Sequence, residues 1–124
     1  MNLNNQKGAA LVEMAIILPI LLVLVFGILE YGRVMFMTNV LNNAAREGAR
    51  RAAVSPAPID INDYVTSCIP FDTPGLVITP STTTPTPGAG QPITVTVTLS
   101  FESLTGIIPV PDSLSGEATM RYEL

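Results

Sequence analysis

An uncharged apolar run near the N-terminus constrains this chain more than any other feature. From Met14 to Leu29 the sequence reads MAIILPILLVLVFGIL, sixteen residues without an ionisable group. Extended back to Ala9, the stretch has 21 residues, of which only Glu13 is ionisable. Because about 20 apolar helical residues cross the hydrocarbon core of a bilayer, the run is predicted to span a membrane.

Two other interpretations of this run are weaker. A buried core helix would need more chain around it than the roughly 100 remaining residues supply, since the segment is apolar on all sides. A cleaved secretory signal has a shorter apolar region that ends in a small-residue site. Here the run is long and is followed by Glu30-Tyr31-Gly32-Arg33. Pro19 kinks a membrane helix without excluding it.

The amino-acid composition excludes several classes of function. The 124 residues include no histidine and one cysteine, and they carry a net charge of −4 with only 13% charged residues. Without histidine there is no Ser-His-Asp or Cys-His catalysis and no His-rich metal site. A single cysteine excludes an intrachain disulfide, and clustered basic residues for nucleic acid are missing. We therefore predict neither enzyme activity, nor a cofactor, nor a metal, nor a nucleic-acid partner.

The first residues indicate proteolytic processing. The polar segment MNLNNQKG ends in Gly8, and Glu13 follows at the start of the apolar run. If a peptidase cuts after Gly8, the new ammonium of Ala9 becomes a partner for Glu13 of the same chain or of a neighbour, and such a pair attracts strongly in an apolar setting. The alternative is that Glu13 simply flanks a membrane anchor. The charges leave orientation open, because Lys7 precedes the run and several arginines follow it.

Residues 7–54 resemble the N-terminal region of TadE-like proteins, the pilin-like components of tight-adherence pilus systems. The matching features are Gly8-Ala9-Ala10, Val12-Glu13, Leu18-Pro19, Gly27, Glu30, Gly32 and the stretch from Ala44 to Arg50. The resemblance implies cleavage after Gly8 by a prepilin peptidase. It also implies membrane insertion with the C-terminal part outside, and delivery to a type IV-like pilus machine.

Two differences from other pilins indicate which branch of these proteins the chain resembles. Ala9 is not the phenylalanine of many type IV pilins, and Met14 is not the tyrosine that follows the glutamate in the short major pilins of these systems. The chain is also longer than those pilins. These differences favour the TadE-like branch and leave open whether the chain is a major or a minor component. Weaker similarity continues at Ala118–Arg121, which looks like the family's closing strand.

Beyond Glu30 the sequence predicts an amphipathic continuation of the helix. Apolar and small residues recur at spacings of three and four, which places them on one helical face. Proline first recurs at Pro56 and Pro58, so one helix of about 69 Å is predicted from Ala9 to Val54. The face consists of Val34, Met37, Leu41, Ala44, Ala45, Gly48 and Ala52.

The remaining chain predicts a small α+β headpiece. A short helix is expected after an Asp60 N-cap, and a short strand at Leu76–Thr79. After a Pro/Thr-rich loop at 80–92, Ile93 to Phe101 alternates between apolar and polar residues, and the final segment at 117–124 repeats this pattern. Antiparallel strands with one apolar face are predicted to pack on the amphipathic half of the helix, as in a pilin.

Cys68 lacks a partner in its own chain. In an exported protein an odd cysteine indicates either a buried thiol or a bridge between chains. Its position on the apolar side of the short helix favours burial.

These observations predict a structural, pilin-like subunit. The expected parts are a leader at 1–8, a membrane and filament-core helix at 9–30, an amphipathic half at 31–54 and a headpiece at 55–124. Expected partners are like chains or other pilins, a prepilin peptidase, the inner-membrane assembly machinery and, before assembly, the membrane. The precursor would sit in the bacterial inner membrane with its C-terminus outside, and the product on the cell surface.

The residues expected to act are Gly8 and Ala9 in processing and Glu13, Ile16, Leu18, Pro19, Leu22, Val25 and Leu29 in assembly. The alternative is an unprocessed single-pass protein that presents a small extracytoplasmic binding domain.

Overall fold

A long N-terminal helix and a three-stranded sheet make up the fold. The computed structural model describes residues 3–55, 61–80 and 88–123. The predicted α+β class is confirmed. In chain order the elements are α1 (Leu3–Ala53), α2 (Ile61–Ser67), β1 (Val77–Pro80), β2 (Pro92–Ser100) and β3 (Ser113–Arg121).

Helix α1 is longer than the sequence predicted. It has 51 residues, which corresponds to about 77 Å. It begins at Leu3 rather than Ala9, because the polar residues before Gly8 include no proline and helix formation continues through them. Pro19 lies inside α1 without ending it. The helix ends at Ala53, one residue before the expected end, and Pro56 and Pro58 lie outside the described residues.

The sheet is antiparallel throughout, in the order β1-β2-β3. The alternation predicted for the central strand is confirmed, because its apolar side chains are buried and its threonines lie on the other face. Strand β1 is shifted by one residue from the predicted Leu76–Thr79. The buried residues of the central strand are Ile93, Val95, Val97 and Leu99, and Phe101 is buried just after it.

Strand β3 begins earlier than predicted. It starts at Ser113, so that Leu114 pairs with Leu99 of β2. The Ser113–Gly116 part contributes only one large apolar residue, and this is why alternation did not reveal it. Of the predicted final segment, Leu124 lies outside the described residues.

The sheet packs on the C-terminal half of α1. The small helix residues Ala44, Ala45 and Ala49 are fully buried beneath it. At Gly116 the approach is very close, since an added Cβ would overlap the backbone of Leu41 and Asn42. Small residues on both elements therefore bring the strand backbone directly onto the helix.

Helix α2 closes the other side of this core. Val65 is completely buried against Gly48 of α1, and Cys68 is a half-buried free thiol that packs against the same cluster. The expected burial of Cys68 is thus partial. The proposed N-cap Asp60 and positions 81–87 of the Pro/Thr-rich loop lie outside the described residues. We call the described residues from Ile61 onward the headpiece.

Candidate functional site: the apolar helix and its junction with the headpiece

The N-terminal half of α1 carries an apolar surface that the headpiece leaves largely uncovered. Every large apolar side chain from Leu11 to Leu29 is at least 42% exposed. Among the described residues, α1 is a helix long and apolar enough to cross a membrane, and its most apolar stretch is not buried in the fold. The predicted assembly residues Ile16, Leu18, Pro19, Leu22, Val25 and Leu29 all lie here and are exposed.

Helical geometry brings only some of these residues together. Four of them follow one another at spacings of four, three and four and so form one stripe along the helix. They are Leu18, Leu22, Val25 and Leu29. Ile16 lies on nearly the opposite side. The predicted assembly residues therefore do not form a single face, and neighbouring chains or lipid would have to surround this part of the helix.

The predicted processing residues lie within the helix. Gly8 and Ala9 are exposed and helical, and Glu13 is exposed four positions after Ala9. An i, i+4 pair shares a helical face. Helical structure also means that the bond between Gly8 and Ala9 is not in the extended form that most peptidases bind.

A buried carboxylate marks the point where the apolar half ends. Glu30 is 1% exposed, and its Oε1 accepts a hydrogen bond from the backbone N–H of Leu104 at 2.9 Å. Nη1 of Arg33 lies 3.8 Å from the same oxygen, and the guanidinium lies over the ring of Phe101, 5.0 Å from its centroid. A charge that would be costly alone in an apolar setting is thereby paired and hydrogen-bonded.

The connection between β2 and β3, residues 101–112, forms this junction with the helix; we call it the junction loop. The hydroxyl of Tyr31 donates to the carbonyl of Pro109 at 3.1 Å. An added Cβ at Gly27 would lie 3.6 Å from Cδ1 of Ile108, so the loop is in contact distance of the helix there. A cleft of about 260 Å³ lies between α1 and the junction loop. It is lined by Pro19, Leu22, Val23 and Phe26 of α1 and by Thr105, Ile107 and Ile108 of the loop.

The arginines of the C-terminal half face solvent. Arg46, Arg50 and Arg51 are exposed, and Nη2 of Arg50 lies 2.9 Å from Oε2 of Glu47. The hydrogen bond from Arg50 to Glu47, together with the charge of that carboxylate, raises the pKa of the guanidinium. The Arg51 guanidinium lies over the ring of Tyr64. These local partners fit a solvated face better than a dedicated lipid-headgroup site.

Sequence reasoning did not find the junction. In the sequence Glu30 is a point of resemblance to TadE-like proteins, and no role is predicted for residues 102–112. The available signal was the i, i+3 spacing of Glu30 and Arg33 directly after the apolar run, since such spacing places opposite charges side by side on a helix.

Comparison with known proteins bears on the same half of the molecule. Residues 8–50 match the family model described as TadE-like protein, which confirms the resemblance found in the sequence. No curated protein and no solved structure gave a significant match. The matched segment runs from Gly8 through the exposed apolar half of α1 and onto the part that the sheet covers. Over residues 8–50 this chain is therefore similar to TadE-like proteins, and α1, which contains this segment, is its candidate membrane helix.

Proposed function

We propose that this chain is a structural pilin-like subunit of a tight-adherence pilus. It is cleaved after Gly8, held in the inner membrane by the exposed half of α1, and then assembled through that helix into an extracellular filament. The observation that carries the proposal is the long apolar surface of α1, which lies inside the TadE-like segment and which the headpiece leaves exposed.

That surface needs an apolar environment. Soluble monomers rarely expose contiguous apolar patches larger than a few hundred Å², whereas here some twenty helical residues are exposed on most sides. Lipid covers such a helix before assembly, and copies of the same helix cover it afterwards. Lipid chains and apolar side chains are similarly apolar surroundings for the helix. Moving α1 from lipid into contact with copies of itself therefore costs little hydrophobic free energy.

The processing step is consistent with glycine at position 8. Glycine in a helix interior is about 1 kcal/mol less favourable than alanine, so the helix opens more easily at this bond. It also lacks a Cβ, which permits close approach of another backbone. The peptidase would bind residues 1–8 in an opened form and release α1 with Ala9 as its first residue.

The N-terminal ammonium that cleavage would create at Ala9 gives a reason for the carboxylate of Glu13 in the apolar segment. A charged residue at the centre of a membrane helix costs about 2.5–3.5 kcal/mol on insertion scales. After cleavage, Glu13 lies within the first two turns, where the helix dipole favours negative charge. The ammonium of Ala9, from the same chain or from a neighbour, is its natural partner and would fix the axial register of packed helices.

The headpiece would lie outside the inner membrane and then on the filament surface. Its half-buried threonine face and its exposed acidic groups suit contact with water, while the buried face is already used against α1. The partners in this scheme are other pilin subunits, the prepilin peptidase and the inner-membrane assembly machinery.

Mass spectrometry of sheared surface filaments tests the proposal. The expected result is filaments in electron micrographs that contain this chain without its first eight residues. A chain that keeps MNLNNQKG and stays in the membrane fraction would contradict it, and would instead favour a single-pass protein that presents an extracytoplasmic binding domain.

A further inference from the structure

We infer that the junction loop is a second membrane-contacting element, whose tip at residues 104–109 inserts among the lipid acyl chains of the outer leaflet beside α1. The inference rests on the proposed membrane anchoring of α1. It adds a contact that the headpiece itself makes with the hydrocarbon layer before assembly.

The position of the loop along the helix is the first argument. The cleft that Ile107 and Ile108 line extends on α1 from Phe26 back to Pro19. These helix positions precede Glu30 by 4 to 11 residues, which corresponds to about 6–16 Å along the axis. If the apolar run lies in the hydrocarbon core, the loop tip therefore lies beside its outer half.

The composition of the loop is the second argument. From Ser103 to Pro111 the sequence SLTGIIPVP has no ionisable residue. Leu104 and Ile107 are each 71% exposed, so two large aliphatic side chains project from the tip of the loop. Glu102 and Asp112 are exposed and flank the stretch at its base. The loop is thus apolar at its tip and charged where it meets the sheet.

Backbone hydrogen bonding is the third argument. Hydrocarbon does not solvate N–H groups, so a loop at membrane depth must satisfy them within the protein. Three of the five N–H groups at residues 104–109 are bonded within the protein: that of Leu104 donates to Glu30, that of Gly106 to Oγ of Ser103 at 3.0 Å, and that of Ile107 to Oγ1 of Thr105 at 3.4 Å. Pro109 has no N–H, and its carbonyl accepts from Tyr31.

The shape of the cleft favours lipid over a neighbouring subunit as its occupant. An α-helix with its side chains is about 10–12 Å wide, too wide for a cleft of about 260 Å³ between α1 and the loop. A single acyl chain is narrow and flexible enough to enter it. Thr105 is the one lining residue with a polar side chain, so the cleft offers little to a polar ligand.

Depth-dependent quenching in lipid nanodiscs tests this assignment. The full chain carries Cys68→Ser, so that a single introduced cysteine holds an environment-sensitive fluorophore, with one chain per disc. The probe position is Ile107→Cys, and the lipids carry nitroxide on the acyl chain. Ile20→Cys on the apolar helix and Ala89→Cys in the turn at the far end of the sheet are the matched controls, since both positions are exposed.

The expected result is a blue-shifted emission at position 107 and quenching by the acyl-chain nitroxide comparable with that at position 20. The label at position 89 should stay unquenched and accessible to aqueous iodide. A label at Glu102→Cys should be quenched mainly by nitroxide near the headgroups, because it lies at the base of the loop.

The remaining outcomes separate the two proposals. Quenching at position 20 without quenching at 107 overturns the loop inference and leaves the membrane anchor intact. Absence of quenching at both positions overturns both. A label at 107 that is accessible to water in single-chain discs but shielded in filaments assigns the loop to a neighbouring subunit, and also overturns the inference.

Discussion

The backbone N–H of Leu104 donates to Oε1 of Glu30 at 2.9 Å, across 74 positions of sequence. This bond joins the end of the apolar helix segment to the connection between the two long strands. Since Leu104 and Ile107 are mostly exposed, the tip of the junction loop at residues 104–109 has few buried side chains to position it. Its place beside α1 therefore depends strongly on this bond and on the contact of Tyr31 with Pro109.

Replacement of Glu30 should release the junction loop. In Glu30→Ala the N–H of Leu104 loses its acceptor and Arg33 loses its counter-charge, at a cost of about 1–3 kcal/mol. Glu30→Gln is the matched control, because its side-chain carbonyl still accepts the N–H. We expect amide exchange at Leu104 to be faster by about tenfold or more in the alanine variant than in the glutamine variant. Equal exchange in the two variants would show that the bond does not hold the loop.

Gly116 should be intolerant of a side chain. A Cβ there would overlap the backbone of Leu41 and Asn42, which cannot rotate away. Gly116→Ala should therefore lift β3 from α1 and destabilise the headpiece by about 1–3 kcal/mol or more, as overpacking does. The half-buried thiol of Cys68 reports headpiece opening, so its labelling rate in the full-length protein should rise.

Gly88→Ala is the control for that substitution. Its nearest neighbour would be Cγ of Gln91 at 3.7 Å, an ordinary contact, so the labelling rate of Cys68 should stay close to that of the parent chain. An unchanged rate in Gly116→Ala would mean that the helix and the strand can separate slightly without loss of the core.

The parts of this fold that are encoded by local pattern were predictable from the sequence. The apolar run defined the exposed helix segment, and strict alternation from Ile93 to Leu99 defined the central strand and its buried face. Spacings of three and four placed Leu41, Ala44 and Ala45 on the face that the sheet covers. Each of these signals is contained within a few turns or one strand, which is why residue order alone was enough.

The parts that depend on distant contacts were not predictable. Nothing near Glu30 shows that its partner is the amide of Leu104, because the two meet only after the whole headpiece has folded. The early start of β3 has a similar cause, since Ser113–Gly116 is held by pairing with β2 rather than by its own alternation. The sequence around Gly116 likewise does not show that this glycine lies against the backbone of Leu41 and Asn42, because that contact is long-range.

Gly8→Val should block removal of the leader. A branched side chain at this position hinders close approach to the scissile bond and removes the local weakness that glycine gives the helix. The expected result is accumulation of the full-length chain in the membrane fraction, seen as a mass increase that corresponds to residues 1–8. Gly32→Val is a matched control, because Gly32 is also an exposed helical glycine with open space around it. Normal cleavage of Gly8→Val would place the processing site elsewhere.

Glu13→Ala should leave cleavage intact and impair assembly. Loss of one partner from a charge pair in an apolar setting costs about 3–5 kcal/mol, so the yield of sheared filaments should fall by well over tenfold while the processed chain remains in the membrane. Glu13→Gln should behave similarly if charge rather than shape is required, and Asp72→Ala, which removes an exposed headpiece carboxylate, should assemble normally. Filaments in normal amount from the Glu13→Ala strain would remove the register role of this carboxylate and leave apolar packing alone to position the helices.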